Sequence, residues 1–484
     1  MKATKKTLGI SFATQYAETV IQFVGVLILA RVLAPHEIGT FSVAAVLMAV
    51  LHVFRDFGVV QYIISEHDLT PPKIRSAMGV SILLALAVAA VMFVSSDAVA
   101  RFYDNPEFRH IMWVMAASFA ISPFGSLLIG IYQREFRLTA VFLIRVGGSV
   151  AQVAVSTILA MKGWGALSLA WGNFAGILAF GIIANLMRSA DIPRWPRFTG
   201  MKETLSFGGI SSLGSAANIA GTNLPDIVIG KTMDMAAVGY FSRANGLVIL
   251  FTRLITSGLL PLVLPFFAQM RREGKALGPP YLSAVEQLTA LSWPFFAGLM
   301  LLGHPMVRAL YGMQWDESVP VMQLLCVAGA VASVSIFASQ VMVANGQVGD
   351  STRSQLYTQP LRIGAVLVAA SFGLMWVAGA IVFAECVTLL VVSRFLKRTI
   401  NVGLASVLGV CSKSALITVC AAIGPAMVNL FWKDDPAHPW PPLLVGILAA
   451  AIGWLSSLLL TRHPLAEHLR PLLGRFTVAP TPRA

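Results

Sequence analysis

Charge is scarce in this chain. Asp, Glu, Lys and Arg together make up 12% of its 484 residues, about half the share of an ordinary soluble protein. So few charges cannot cover a water-facing surface. A soluble enzyme, a nucleic-acid-binding module and a disordered scaffold are thereby excluded, and most of the chain must face lipid or other apolar helices. Acidic residues are scarcer still, 22 against 35 Lys and Arg. The resulting net charge of +13 sits in short loops, where it reads as membrane orientation and not as DNA affinity.

Cysteine is equally sparse. Cys326, Cys386, Cys411 and Cys420 all lie in apolar runs and no CxxC pair occurs, so neither a zinc site nor a dithiol site is expected. The His residues show no HExxH or paired-ligand spacing, and no metal or other cofactor is expected. No polar stretch is long enough for an ATPase or glycosyltransferase domain, so the chain does not read as an enzyme. The run 225–232 (PDIVIGKT) approaches the P-loop pattern but lacks its first Gly and sits on an apolar helix, which argues against nucleotide binding. The start, MKATKKTLGI, is basic, but the apolar run behind it contains Gln15, Glu18 and Gln22 and no clear cleavage site. It is expected to be a first span and not a signal peptide.

What the chain does have is apolar length. Hydrophobic residues make up 57% and the mean hydropathy is +0.76. A helix needs about 20 apolar residues to cross the hydrocarbon core. Fourteen segments reach or approach that length, near residues 8–32, 38–63, 77–99, 109–132, 139–161, 166–187, 205–230, 239–268, 282–303, 319–344, 358–377, 379–396, 404–431 and 442–461. The expected fold class is an all-α polytopic membrane protein of about 14 transmembrane helices. Pro123, Pro261, Pro265 and Pro294 fall inside spans and mark expected kinks. With the N-terminus placed in the cytoplasm, twenty-four Lys and Arg, Arg145 and Arg362 among them, fall on that side and seven on the other. The positive-inside rule favours this orientation, with both termini cytoplasmic.

The chain repeats itself at an offset of 200 residues. LARVLAPHEIGTFSVAAVL (29–47) aligns with IGKTMDMAAVGYFSRANGL (229–247), with Gly39/Gly239, Phe41/Phe241, Ser42/Ser242, Ala44/Ala244 and Leu47/Leu247 identical. Both copies follow a span of the same direction, so the halves are parallel, an arrangement in which transporters hold substrate between the halves and alternate access. The expected division is an N-terminal six-helix lobe (1–188), a cytoplasmic interlobe linker (189–204), a second six-helix lobe (205–400), two additional transmembrane helices (401–462) and a cytoplasmic tail (463–484). Gln15, Glu18 and Gln22 share one helix face, and the offset maps them onto Ser215, Asn218 and Thr222 in a second polar stripe. Such stripes either join helices or line a water-filled cavity.

Charges inside spans cost about 2.5–3.5 kcal/mol each on insertion scales. This chain keeps Glu18, Arg55, Asp56, Asp226, Arg243, Arg253, Glu286, Glu385 and Lys413 in or near spans. Arg55, Asp56 and Glu286 lie toward span ends, and Lys413 can snorkel. Arg243 and Arg253 stand about 15 Å apart along one helix and can both face a broad cavity. There they suit an anionic group such as phosphate. The alternative is an ion pair with Asp226 or Glu385. Asp226 and Glu385 are the ion-coupling candidates; for Asp226 a structural pairing with Lys231 or Arg243 stands beside that role.

The stretches LARVLAPHEIGTFSVAAVL, IYQREFRLTAVFLIR, KGWGALSLAWGN, DIVIGKTMDMAAVGYFSRA and LPLVLPFFAQM resemble those of bacterial polysaccharide-biosynthesis exporters. These are the oligosaccharide-lipid flippases of the multidrug/oligosaccharidyl-lipid/polysaccharide (MOP) superfamily. The likeness runs in order through the first eight spans, and the later spans match in hydropathy and count. Asp226, Gly230 and Lys231 match the family's Asp, apolar run and Gly-Lys, and Gly239, Tyr240, Ser242 and Arg243 match its aromatic-Ser-Arg continuation. Ile227 stands where the family often has Asn, and the Gln133–Arg137 loop matches loosely, with Phe136 one place early.

The resemblance implies a MATE-like fold, two six-helix lobes around a central V-shaped cavity, here with two extra C-terminal helices. It implies movement of an undecaprenyl-diphosphate-linked oligosaccharide, a surface polysaccharide repeat unit, from the inner to the outer leaflet of the bacterial cytoplasmic (inner) membrane. Alternating access would carry it, with or without ion coupling. On that reading Arg243 and Arg253 attract diphosphate or acidic sugar, while Glu18, Gln22, Asn218 and Thr222 hydrogen-bond the head. The implied partners are the lipid-linked oligosaccharide, membrane lipids and polysaccharide-synthesis membrane proteins, with the loop 188–204 a docking segment or simply a basic linker. The rival readings are a proton- or sodium-coupled multidrug exporter of the same superfamily, a peptidoglycan lipid-precursor flippase, and a non-transport assembly scaffold.

Overall fold

The computed structural model describes residues 2–56, 58–201, 221, 223–432, 435–461 and 463–466. Regular structure among them is helical, with no strand. By packing, the chain divides into two compact units, Met1–Gly239 and Tyr240–Ala484. The first holds α1 (Lys2–Val32), α2 (Pro35–Asp56), α3 (Val59–Ser65), α4 (Pro71–Phe102), α5 (Glu107–Ile121), α6 (Pro123–Arg134), α7 (Leu138–Met161), α8 (Ala166–Leu186), α9 (223–232) and the first turn of α10 (Met235–Arg272). The second holds the rest of α10, then α11 (Gly278–Leu301), α12 (Gly303–Leu310), α13 (Ser318–Ser335), α14 (Ala338–Ala344), α15 (Val348–Ala369), α16 (Leu374–Ile400), α17 (Leu404–Phe431) and α18 (Trp440–Leu460).

Nine described helices, or eleven with two bent pairs, are long and apolar enough to cross a membrane. The bent pairs are α5–α6, at 45°, and α11–α12, at 80°. The first bend falls at Ser122–Pro123, where Pro123 opens α6 at a position whose N–H no helix bond needs. Pro294 lies within α11 without ending it. One further expected span is broken. The segment 38–63 divides into α2 and the short α3, with Gly58 at φ 68 before α3, a conformation that suits Gly. The segment 319–344 comprises α13 and α14, which together form one span, Ser318–Ala344. The segment 358–377 lies mostly in α15, which begins earlier, at Val348.

Lipid gives helices no hydrophobic reason to associate, so close approach of small residues carries much of the packing. In the first unit Gly172 of α8 abuts Ser156 of α7, and a Cβ at Gly176 would lie 2.8 Å from the Gln152 Cβ. Gly25 lets α1 lie on α7: a Cβ there would come 2.6 Å from Val153 Cγ2. Tyr62, Ile63, Leu127, Tyr132 and Ile144 form a buried cluster beside these contacts, and the Tyr132 hydroxyl donates to the Ala184 carbonyl at 2.8 Å. In the second unit Phe267, Tyr281, Phe337, Met342 and Val407 form the matching core. Helices α17 and α18 pack on α11 as well as on each other. The Trp454 Nε1 donates to the Ala290 carbonyl at 2.8 Å, and a Cβ at Gly453 would lie 2.7 Å from the Cys420 carbonyl.

The segment after α8 is strapped to its own unit. Ser76 donates to the Thr199 carbonyl at 2.7 Å, Arg75 Nε to the Trp195 carbonyl at 3.1 Å, and Arg137 Nη1 to Ser189 Oγ at 2.8 Å. The two repeat copies also meet. A Cβ at Gly39 would strike the Met235 carbonyl, with the Gly239 nitrogen at 2.9 Å; a Cβ at Gly239 would strike the Pro35 carbonyl. Pro35 and Met235 are themselves equivalent under the repeat offset, so the contact is reciprocal.

Candidate functional site

Polar faces of several helices converge inside the first unit. α1 supplies Glu18 and Gln22, one turn apart. α7 supplies Arg145, Ser149 and Gln152, spaced i, i+4, i+7 on one face. The last turns of α2 supply His52 and Arg55, and α8 supplies Asn173. With Ser122 and Ser126 from the α5–α6 break, these residues line a cavity of about 330 Å³. The α1–α7 contact at Gly25 and Val153 sets the spacing that lets Arg145 reach Glu18. Arg145 Nη1 donates to Glu18 Oε2 at 3.3 Å. Phe119 packs behind two of these side chains, its ring centroid 4.5 Å from that of His52 and 5.7 Å from the Arg55 guanidinium carbon. One carboxylate, two guanidiniums, one imidazole and several amides and hydroxyls therefore face a shared space. With His52 neutral its net charge is positive, and it is rich in groups that hydrogen-bond hydroxyls and anions.

Of the residues expected at a site, Glu18 and Gln22 line this cavity. Asn218 and Thr222 lie outside the described residues. Arg243 and Arg253 belong to the second unit and are not among the lining residues. Arg243 lies over aromatic rings, 5.8 Å from the Tyr311 centroid and 5.6 Å from that of Trp315. Its Nε is buried without a hydrogen-bond partner among the described residues. Arg253 is exposed on α10. Asp226, on α9, has Oδ1 buried without a hydrogen-bond partner among the described residues.

Three of the carboxylates noted in or near spans have cations beside them. Glu18 has Arg145. Glu385 of α16 accepts from Arg362 Nη1 of α15 at 3.2 Å, so Arg362 stands where Arg243 or Arg253 was expected. Glu286 of α11 lies 3.5 Å from Lys413 Nζ and 3.7 Å from His463 Nε2. Lys231 is committed to the turn after α4. It donates to the Phe102 carbonyl at 2.5 Å, lies 3.7 Å from Asp104 Oδ2, and stands 4.8 Å from the Phe102 ring centroid. Among the described residues no group of three or more His, Cys, Asp and Glu is placed to hold a metal ion.

Sequence reasoning overlooked Arg145, His52, Gln152 and Asn173, and counted Arg145 and Arg362 with the loop cations. Arg145 lies seven residues into α7, about 10 Å along its axis. The i, i+4, i+7 stripe Arg145, Ser149, Gln152 was legible in the sequence and is the same signal that singled out Glu18 and Gln22.

Comparison with known proteins agrees with this architecture. The model of the polysaccharide biosynthesis protein family matches residues 28–320. The Escherichia coli (strain K12) lipopolysaccharide biosynthesis protein WzxC is 21% identical over 79% of this chain and 77% of its own. The Bacillus subtilis (strain 168) teichuronic acid biosynthesis protein TuaB is 23% identical over 95% of both chains. Among solved structures, the lipid II flippase MurJ in an inward closed conformation superposes with a TM-score of 0.70 at 14% identity, over 94% of this chain and 99% of its own. An inward-facing MATE family transporter of the MOP superfamily gives a TM-score of 0.66 at 15% identity, over 81% of this chain and 95% of its own. These likenesses show the fold, MurJ- and MATE-like. The chain, with its long apolar helices, belongs to the polysaccharide biosynthesis protein family.

Proposed function

We propose that the protein moves an undecaprenyl-diphosphate-linked oligosaccharide from the inner to the outer leaflet of the bacterial inner membrane by alternating access. The observation that carries this reading is the cavity where Glu18, Gln22, His52, Arg55, Arg145 and Asn173 meet, inside a unit built of apolar helices. A sugar head and its diphosphate must cross hydrocarbon while the lipid tail stays in it. Hydroxyl and amide groups with excess cationic charge provide for such a head, at the cost of polar groups in a membrane helix. Fourteen helices with both termini cytoplasmic, in two parallel-related lobes, are supported by the charge asymmetry of the loops and by the repeat in the sequence. Arg243, Arg253, Asn218 and Thr222 are further head-group ligands on this reading. Asp226, with a buried carboxylate oxygen that no hydrogen bond reaches among the described residues, is the stronger candidate for ion coupling, and Glu385 is the weaker because Arg362 holds it.

The test is reconstitution in liposomes carrying a labelled undecaprenyl-diphosphate oligosaccharide. A membrane-impermeant sugar-modifying enzyme then reports the leaflet distribution, with and without an imposed proton gradient. Protein-dependent exchange is expected. No exchange across several glycans, with cation-driven drug efflux instead, would select the multidrug exporter reading; exchange confined to lipid II would select the peptidoglycan-precursor flippase.

A further inference from the structure

We propose that Glu18 is an internal competitor for the ligand's anionic group: it holds Arg145, and a phosphate or carboxylate of the ligand displaces it. This deepens the flippase reading and rests on it for the identity of the ligand. The pair is open to the cavity, with side-chain exposures of 24% for Glu18 and 37% for Arg145, whereas Glu385 and Arg362 show 16% and 25%. It is also loosely made. Glu18 takes one guanidinium nitrogen at 3.3 Å, while Arg offers five N–H donors in a fork that matches phosphate or carboxylate in bidentate fashion. An incoming anion can therefore make the better-fitting contact and leave Glu18 to the cavity's hydroxyls and amides.

The charged groups lining the cavity with Glu18, among the described residues, are Arg145 from α7 and His52 and Arg55 from α2; α5, α6 and α8 contribute only uncharged side chains. Removing the Glu18 carboxylate therefore leaves the guanidiniums of this cavity to the ligand's anion without that competitor.

The experiment measures binding of geranyl diphosphate to the purified full-length protein in nanodiscs by calorimetry. The comparison is between the wild type and its Glu18 and Arg145 variants in one buffer. A parallel arm uses a uronic acid in place of the diphosphate and distinguishes the lipid's anion from an acidic sugar. Glu18→Gln should bind at least about tenfold more tightly than the wild type, the low end of what a neighbouring opposite charge is worth. Glu18→Asp, which keeps the carboxylate, should not show that gain, while Arg145→Ala should weaken binding whether or not Glu18 is replaced. Folding of each variant is checked by its thermal midpoint; if Glu18→Gln does not fold, Glu18→Ala is measured in its place. Unchanged or weaker binding in the carboxylate-free variant, or no binding of either probe by the wild type, overturns the proposal. Leaflet exchange is measured separately. Tighter probe binding without exchange would keep this inference and reject flipping; exchange without tighter binding would do the reverse.

Discussion

Gly39 and Gly239 each occupy the place where the other's helix leaves no room for a methyl group. A Cβ at Gly39 would press on the Met235 carbonyl and come 2.9 Å from the Gly239 nitrogen, and a Cβ at Gly239 would press on the Pro35 carbonyl. Under the repeat offset Gly39 corresponds to Gly239 and Pro35 to Met235.

Gly39→Ala and Gly239→Ala are each expected to destabilise the protein by about 1–3 kcal/mol, because backbone carbonyls cannot turn aside as a flexible side chain can. The check is the thermal midpoint in detergent. The double variant should lose less than the sum of the two, since one small separation of the backbones makes room for both methyl groups. Midpoints equal to wild type in both singles would contradict the close approach.

Arg362→Ala leaves the Glu385 carboxylate in a helix without its cation. Removing one partner of a buried pair costs about 3–5 kcal/mol, while replacing both with apolar residues of similar volume is often neutral. Folded yield and thermal midpoint should therefore fall in Arg362→Ala and recover in Arg362→Met/Glu385→Leu. A single variant as stable as wild type would show that the pair does not matter.

Lys231→Met removes the donor to the Phe102 carbonyl and the cation beside Asp104. The contact is part-exposed, so global stability should change by no more than about 1 kcal/mol. Hydrogen exchange at residues 101–107 should quicken while the helix interiors stay protected. Unchanged exchange there would mean the turn holds without Lys231.

Asp435 lies in the connection between α17 and α18. A hydrogen bond from His438, then one from the Ala437 N–H, holds its carboxyl below the usual range. A lowered native value means the contribution is present above the ordinary Asp range and is lost as pH falls through the lowered one. Exchange protection of the Ala437 amide should therefore fall in acid, and Asp435→Asn should remove that acid step. An acid step that persists in the variant would assign it to another group.

Much of the fold was legible because lipid imposes a simple rule on composition: every crossing needs a long apolar run. Glu18 and Gln22 were legible as polar residues where few are tolerated. Their surroundings were less so. Arg145 and Arg362 were read as loop cations because each lies a few turns from a connection, and helix starts are set by local backbone. α7 begins at Leu138 after Phe136 at φ 54, and α15 at Val348 after Gly346 at φ 79. Those turns carry two arginines into their helices.

By itself the sequence determined that this is a many-helix membrane protein with an internal repeat and a few costly polar groups, because apolar length, loop charge and one-face spacing are properties of the chain read in order. Only the tertiary structure decided which charge meets which. Glu385 pairs with Arg362, Lys231 holds the Phe102 turn, and Arg145 faces Glu18. An ion pair depends on which faces two helices turn to each other. Those faces follow from where small residues such as Gly25, Gly172 and Gly176 let the backbones come close.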